Sequence, residues 1–295
     1  MKKKRVIVTR RDFIRGSAGA ALGAALLGPA WLKAEAKAAG GQRSLVVIVR
    51  DAKAMDANLS VDKQAVASML EQALAQVTGK ADARAAWLSL VKPTDIVGLV
   101  PTPHLNPTHD QLIEVVRESL VAAGVPSGHI VHAQGRDVDL APITALICLP
   151  ALKAHWLTGI GTVIKNYILY SGAPRNYHHQ DSAKLGEIWN LPQVKGKTRL
   201  VLVDALHPLC DKGPQPDPRY KWAYNGLIAS LDPVAVDAVG LKIISAKREA
   251  LRGEPWPISP PPICIEAADK VYKLGNSDPA KIDIKVFGWK ENLLV

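Results

Sequence analysis

The sequence predicts an α/β protein, a mostly parallel sheet covered by helices. Three observations carry that prediction. Apolar runs of strand length recur from residue 44 to residue 287. Longer segments with helical periodicity separate them. Gly or Pro stands at most of the junctions. Strands that alternate with helices bury both sets of apolar faces best when the helices cover a largely parallel sheet.

The first run, residues 44–50, is apolar at five successive positions from Leu45 to Val49 and reads as a buried strand. Residues 61–77 form an amphipathic helix that ends at Gly79, and residues 81–91 a shorter helix stopped by Pro93. Residues 95–100 are a second strand, cut by Pro101. Residues 108–123 are a helix with Thr108 as N-cap and Gly124 as its stop. Short strands follow at 129–133 and 144–149, then a Gly-rich loop leading into helices at 161–170 and 182–190. Residues 198–204 are a strong strand, and 207–225 a Pro-rich aromatic loop. In the long helix at 232–251, Asp232 is the N-cap and Pro233 the first helical residue. A Pro-rich linker at 255–262, a helix at 263–274 and a strand at 281–287 complete the chain.

The front of the chain carries an address. Lys2, Lys3, Lys4 and Arg5 precede Thr9-Arg10-Arg11-Asp12-Phe13-Ile14-Arg15. A Gly/Ala-rich run from Gly16 to Leu32 leads to Ala36-Lys37-Ala38. Basic region, apolar region and A-x-A site in that order match a secretory signal, here with a twin arginine. The expectation is export through the twin-arginine (Tat) translocase to the periplasm or another extracytoplasmic space. Residues 1–38 are then the signal and 39–295 the mature chain, with one domain or one domain plus a lobe left open. The apolar run is short and rich in Gly and Ala for a membrane span, with an uncleaved anchor as the alternative. Every later apolar run is interrupted by Lys, Asp, His or Pro, so no stable span is expected in the mature chain.

The net charge of +10 is concentrated in that segment. Residues 1–38 hold nine Lys/Arg and two acids, which leaves 28 basic and 25 acidic residues beyond them. A balance of +3 is an ordinary solvated surface and argues against nucleic-acid binding. Cys148, Cys210 and Cys264 are 62 and 54 residues apart, spacings that match no zinc or iron–sulfur motif. Cys148 reads as a small core residue, and a Cys210–Cys264 disulfide is allowed in the periplasm.

The densest polar cluster runs from Leu149 to Asn166, directly after a strand, where α/β sheets bind ligands. Gly159 and Gly161 permit close backbone approach, and a helix start there offers free N–H groups to an anion. Lys153 and Lys165 add positive charge, and His155 is a base or a metal ligand. No G-K-[ST] closes the loop, so it is not a Walker loop. Tyr177-His178-His179 supply a second imidazole. Asp204 ends the strong strand, as a site acid or a turn former. Asp237, inside an apolar helix, needs a partner: a lysine or histidine of the site, or loop amides. His104, Asn106 and His109 lie at the same ligand-binding edge.

With these residues in view, the chain resembles the domain of unknown function 362 family in its Tat-exported, single-domain form. The matching stretches are Lys92-Pro93-Thr94-Asp95, Thr108-His109, Leu149-Pro150 through Lys153, His155, Thr158-Gly159 and Lys165-Asn166, then Tyr177-His178, Val203-Asp204-Ala205, Gly213-Pro214 and Asp232-Pro233 through Asp237. Relatives often carry Lys-x-Asn where this chain reads Val100-Pro101-Thr102; either a ligand contact is lost, or His104 and Asn106 take over. Many relatives also add a ferredoxin-type cysteine module, absent here, so the resemblance implies no iron–sulfur cluster. A weaker likeness to the nickel-dependent lactate racemase family implies proton or hydride movement at a carbon beside a carboxylate, with a metal or organometallic cofactor allowed. On these grounds His155, Lys165 and Asp204 are expected to be catalytic. Lys153, Thr158, Gly159, Gly161, Asn166, Tyr177, His178 and Asp237 are expected to bind a small anionic substrate. The alternatives are a non-catalytic binder of an anion, cofactor or metal, and an accessory protein to a periplasmic redox enzyme.

Overall fold

A computed structural model describes residues 43–295, which cluster as one unit. The signal-sequence reading of residues 1–38 lies outside the described residues. Nine strands and six α-helices follow one another: β1 (Ser44–Arg50), α1 (Lys63–Thr78), α2 (Ala83–Leu90), β2 (Val97–Pro101), α3 (Asp110–Ala123), β3 (Ile130–His132), β4 (Ala145–Leu149), β5 (Ala151–His155), β6 (Gly159–Ile160), α4 (Gly186–Trp189), β7 (Thr198–Leu209), β8 (Gly226–Ser230), α5 (Pro233–Arg252), α6 (Ile263–Lys270) and β9 (Ile282–Gly288).

The strands form one sheet in the order β3-β2-β4-β7-β8-β1-β9, with β5 alongside β7 and β6 folded back on β5. Pairs β2–β3, β2–β4, β4–β7, β5–β7 and β1–β9 are parallel. Only β8, antiparallel to β1 and β7, and the β5–β6 hairpin depart from that. The sheet is thus mostly parallel, as the alternation of elements predicts.

Because successive strand residues point to opposite faces, the continuous apolar runs feed two cores. Val46 and Ile48 of β1, Leu146 and Cys148 of β4, and Val201 and Val203 of β7 pack on one face, with α4, α5, α6 and the segment 160–194. Val47 and Val49, Ile147 and Leu149, Leu200 and Leu202 pack on the other, under α1, α2 and α3. Each fully buried side chain of this kind contributes about 1.5–3 kcal/mol. The helix ends follow local chemistry. Asp62, Asp82 and Asp232 cap α1, α2 and α5 through their carboxylates, and Gly79, Gly124 and Gly253 close α1, α3 and α5 at positive φ.

Several expectations are corrected. No α-helix covers 161–170: the backbone makes i to i+3 turns there and a 3-10 helix at Ile168–Ser171. The 182–190 helix is a 3-10 helix, His179–Leu185, before the single turn of α4. The strand expected to stop at Asp204 runs on to Leu209, inside the predicted loop. Thr108 does not cap α3. Its hydroxyl accepts the Thr102 N–H (2.9 Å) and donates to Leu149 O (2.5 Å), and His109 takes the cap position. The three cysteines are free and buried, so the Cys210–Cys264 bridge does not form.

Candidate functional site

Pro150 interrupts β4, and the chain resumes at once as β5, hydrogen-bonded to β7 through Asp204 N–H to Pro150 O (2.8 Å). The stretch read as a loop is therefore a strand. Ala-Leu-Lys-Ala-His lacks the β-branched residues that announce one. The strand period puts Lys153 and His155, two residues apart, on the same face. The hairpin to β6 places Gly159 beside His155 and leads the chain on to Lys165.

These side chains line one cavity of about 230 Å³, together with Thr102, His104, Gln134, Gly161, Asn166, His178 and Pro214. The convergence of Lys153, His155, Lys165, Gly161, Asn166 and His178 is what the sequence reading requires of a site. Its walls are fixed by hydrogen bonds. The Asn166 side-chain N–H donates to Val100 O (2.7 Å), and the Gln134 amide donates to Pro101 O (2.6 Å). The Lys153 amine donates to Leu105 O (2.9 Å) and Asn106 O (3.3 Å), which holds the 102–109 loop over β5. Gly161 leaves room for the imidazole: a Cβ there would stand 3.1 Å from the His155 ring.

Electrostatically the cavity is basic. Among the described residues no carboxylate lines it. Burial, then the charges of Lys165 and Lys221, pushes Lys153 down to about 7. Burial pushes Lys165 down to about 8. His155 falls to about 2 through burial and the charges of Lys165, His178 and Lys153. It is therefore a neutral ring. Its Nδ1 accepts the Leu157 N–H (3.1 Å), so the ring proton sits on Nε2. This changes the role expected of His155: the ring nitrogen free for a ligand is a donor, not a base. His178 stacks on it, ring centroids 5.7 Å apart, and burial lowers His178 as well.

The remaining predicted residues lie elsewhere. Thr158 is buried and donates to Ile160 O (2.8 Å), a turn-forming bond. Gly159 has φ +77° and sits against the Pro260 and Pro262 backbone, outside the cavity lining. Tyr177 packs on the apolar core. Asp237 is fully buried behind the site, where its two carboxylate oxygens accept the Val163 N–H (2.8 Å) and the Ile164 N–H (2.7 Å). The loop amides expected to bind an external anion are thus satisfied by an internal one, and Gly161 N–H donates to Lys153 O. Burial still raises Asp237 to about 7 against the pull of those two amides.

Asp204 belongs to a neighbouring cluster. One carboxylate oxygen takes both the backbone N–H and the ring Nδ1 of His109, each at 2.7 Å, and the other takes the Leu206 N–H (3.0 Å). Burial lowers His109, but the hydrogen bond and charge of Asp204 outweigh it and the net direction is up. The only sequence signal for this dyad is that each residue follows or ends a predicted strand; in the structure His109 is the N-cap residue of α3 and β7 runs on past Asp204 to Leu209.

Three histidines line the cavity, yet among the described residues no three His, Cys, Asp or Glu side chains converge to hold a metal ion. Two lysines, no carboxylate among the described residues, and three imidazoles that do not converge, one with its Nδ1 already bonded, do not fit a metal cation or the nickel group that the racemase likeness implies. Residues 112–242 match the model of a family described as Domain of unknown function (DUF362). That segment holds β4, β5, both lysines, His155, Asp204 and Asp237. No curated protein and no solved structure matches the chain.

Proposed function

We propose a function for this chain, which over residues 112–242 belongs to the domain of unknown function 362 family: its β5 cavity binds a small organic anion, and a lysine, rather than His155, moves the proton in any reaction there. The observation that supports this is two lysines in one small cavity that no acid among the described residues lines. Two ammonium groups without carboxylate partners are costly in a partly desolvated site, and an anion offsets that cost. Neutral His155 adds an Nε2–H donor. Lys153 and Lys165, lowered toward neutrality, have the proton affinity that suits general acid–base work.

The test has two readouts. Small carboxylates and phosphate are titrated into the wild type and into Lys153→Met and Lys165→Met. The reading expects binding to the wild type and weaker binding in both variants; equal affinity in all three proteins contradicts it. Incorporation of solvent deuterium at the carbon beside a bound carboxylate, followed by NMR, identifies an enzyme. Binding without exchange identifies a binder. We also propose that the twin-arginine segment directs export of the folded chain, supported by residues 9–38. Arg10→Lys with Arg11→Lys is then expected to leave the unprocessed chain in the cytoplasm.

A further inference from the structure

The two lysines are held differently. The Lys153 amine is fastened to two backbone carbonyls, whereas Lys165 forms no ion pair with any described carboxylate and lies on a turn at the cavity wall. We propose that Lys165 is an amine nucleophile, forming an imine with the carbonyl of a 2-oxo acid whose carboxylate rests on Lys153 and the Nε2–H of His155. The inference rests on the anion-binding reading above and adds to it a substrate class and a covalent residue.

The chemistry follows from that asymmetry. An ammonium is not nucleophilic, so one lysine of the pair must give up its proton while the other keeps its charge. Burial and neighbouring charge lower Lys153, to about 7, further than Lys165, to about 8; a substrate carboxylate seated on Lys153, together with its two carbonyl acceptors, restores the ammonium there. Burial lowers Lys165 to about 8, so near that pH a share of it is the neutral amine. The neutral Lys165 amine attacks the carbonyl carbon, forming a C–N bond. Lys153 gives a proton to the carbonyl oxygen and recovers one from the attacking nitrogen, which leaves a carbinolamine. Loss of the hydroxyl as water, with the remaining nitrogen-bound proton, completes the imine. No oxidant or reductant takes part. A phosphate would instead need both lysines as ammonium groups, and it offers no electrophilic carbon to the unfastened one.

The test is reductive trapping on the full mature chain. Protein is incubated with pyruvate and cyanoborohydride, then digested and mapped by mass spectrometry. The proposal expects one adduct per chain, of pyruvate's mass less one oxygen, on Lys165. It expects none in Lys165→Arg, which keeps the charge and whose folding is checked by its thermal transition. Acetate, a carboxylate without a ketone, is expected to protect Lys165 from trapping. Adducts spread evenly over exposed lysines such as Lys53 and Lys242, or none at all, overturn the imine. If acetate and pyruvate bind without an adduct, the imine alone falls; if neither binds and nothing is trapped, the anion-binding reading falls with it.

Discussion

Sulfate binding should weaken with pH by an amount set by the two cavity lysines. Sulfate keeps its charge above about pH 4, so any slope belongs to the protein. Lys153 titrates at about 7 and Lys165 at about 8, while His155, at about 2, stays neutral throughout. Above its own value, each lysine that must be charged to hold the anion costs about tenfold in affinity per pH unit. Between about pH 6 and about pH 9, Lys153 contributes ~10²-fold and Lys165 ~10-fold, together ~10³-fold or about 4 kcal/mol. Isothermal calorimetry across that range measures it. In Lys153→Met the loss should shrink to ~10-fold, because only Lys165 remains. An affinity independent of pH, or a Lys153→Met slope equal to that of the wild type, refutes the assignment of the cavity charge to these lysines.

Three further outcomes follow from the hydrogen bonds. Asp237→Asn should cost about 1–3 kcal/mol in urea denaturation, because the new amide can accept only one of the Val163 and Ile164 N–H groups. Its folded value, about 7, lies above the unfolded one, so its stabilising contribution is present below about pH 4 and is lost as pH rises through about 7. The wild type's advantage over Asp237→Asn should therefore narrow across that window, and a widening gap contradicts the account. Asp204→Asn should lower the His109 pKa seen by NMR titration. It should also abolish the part of the stability that His109 supplies below about pH 6.5 and that is lost as pH rises through its folded value. An unchanged His109 titration would show that Asp204 does not hold it. Gly161→Ala should displace the His155 ring by a few tenths of an ångström, cost about 1–3 kcal/mol and weaken sulfate binding; unchanged affinity would separate His155 from the site.

The fold was legible because its strands are long apolar runs between helices with strong ends. Leu45-Val46-Val47-Ile48-Val49 and Leu200-Val201-Leu202-Val203 declare themselves, and Asp232-Pro233 marks the start of α5 without ambiguity. What escaped was structure made by long-range partners. β5 is a strand because β7 pairs with it, not because Ala-Leu-Lys-Ala-His prefers the conformation. The expected 161–170 helix is replaced by i to i+3 turns whose Val163 and Ile164 N–H groups are held by Asp237, 74 residues on from Val163, a partner that local sequence does not announce. Gly240 in the interior of α5 allows close packing on β5, because a Cβ there would come within 2.9 Å of Leu152.

At the site, position was readable and role was not. Lys153, His155 and Lys165 could be grouped because they follow one strand, and they do share a cavity. The protonation of His155 depends first on its burial, then on the charges of Lys165, His178 and Lys153, and its tautomer on the Leu157 N–H; the burial and the distances that set these effects are not visible in a string of letters. The likeness to residues 9–15 of an export signal carries its meaning in sequence alone, and a fractionation of cells carrying the paired lysine substitutions reads it directly.

The central claim, that Lys153 and Lys165 hold an anion beside His155, is tested most directly by crystals soaked in selenate. The account predicts an anomalous difference peak in the β5 cavity within hydrogen-bonding reach of both amines, and its disappearance in Lys165→Met. Selenate found only on exposed surface lysines, with none between these two, would contradict it.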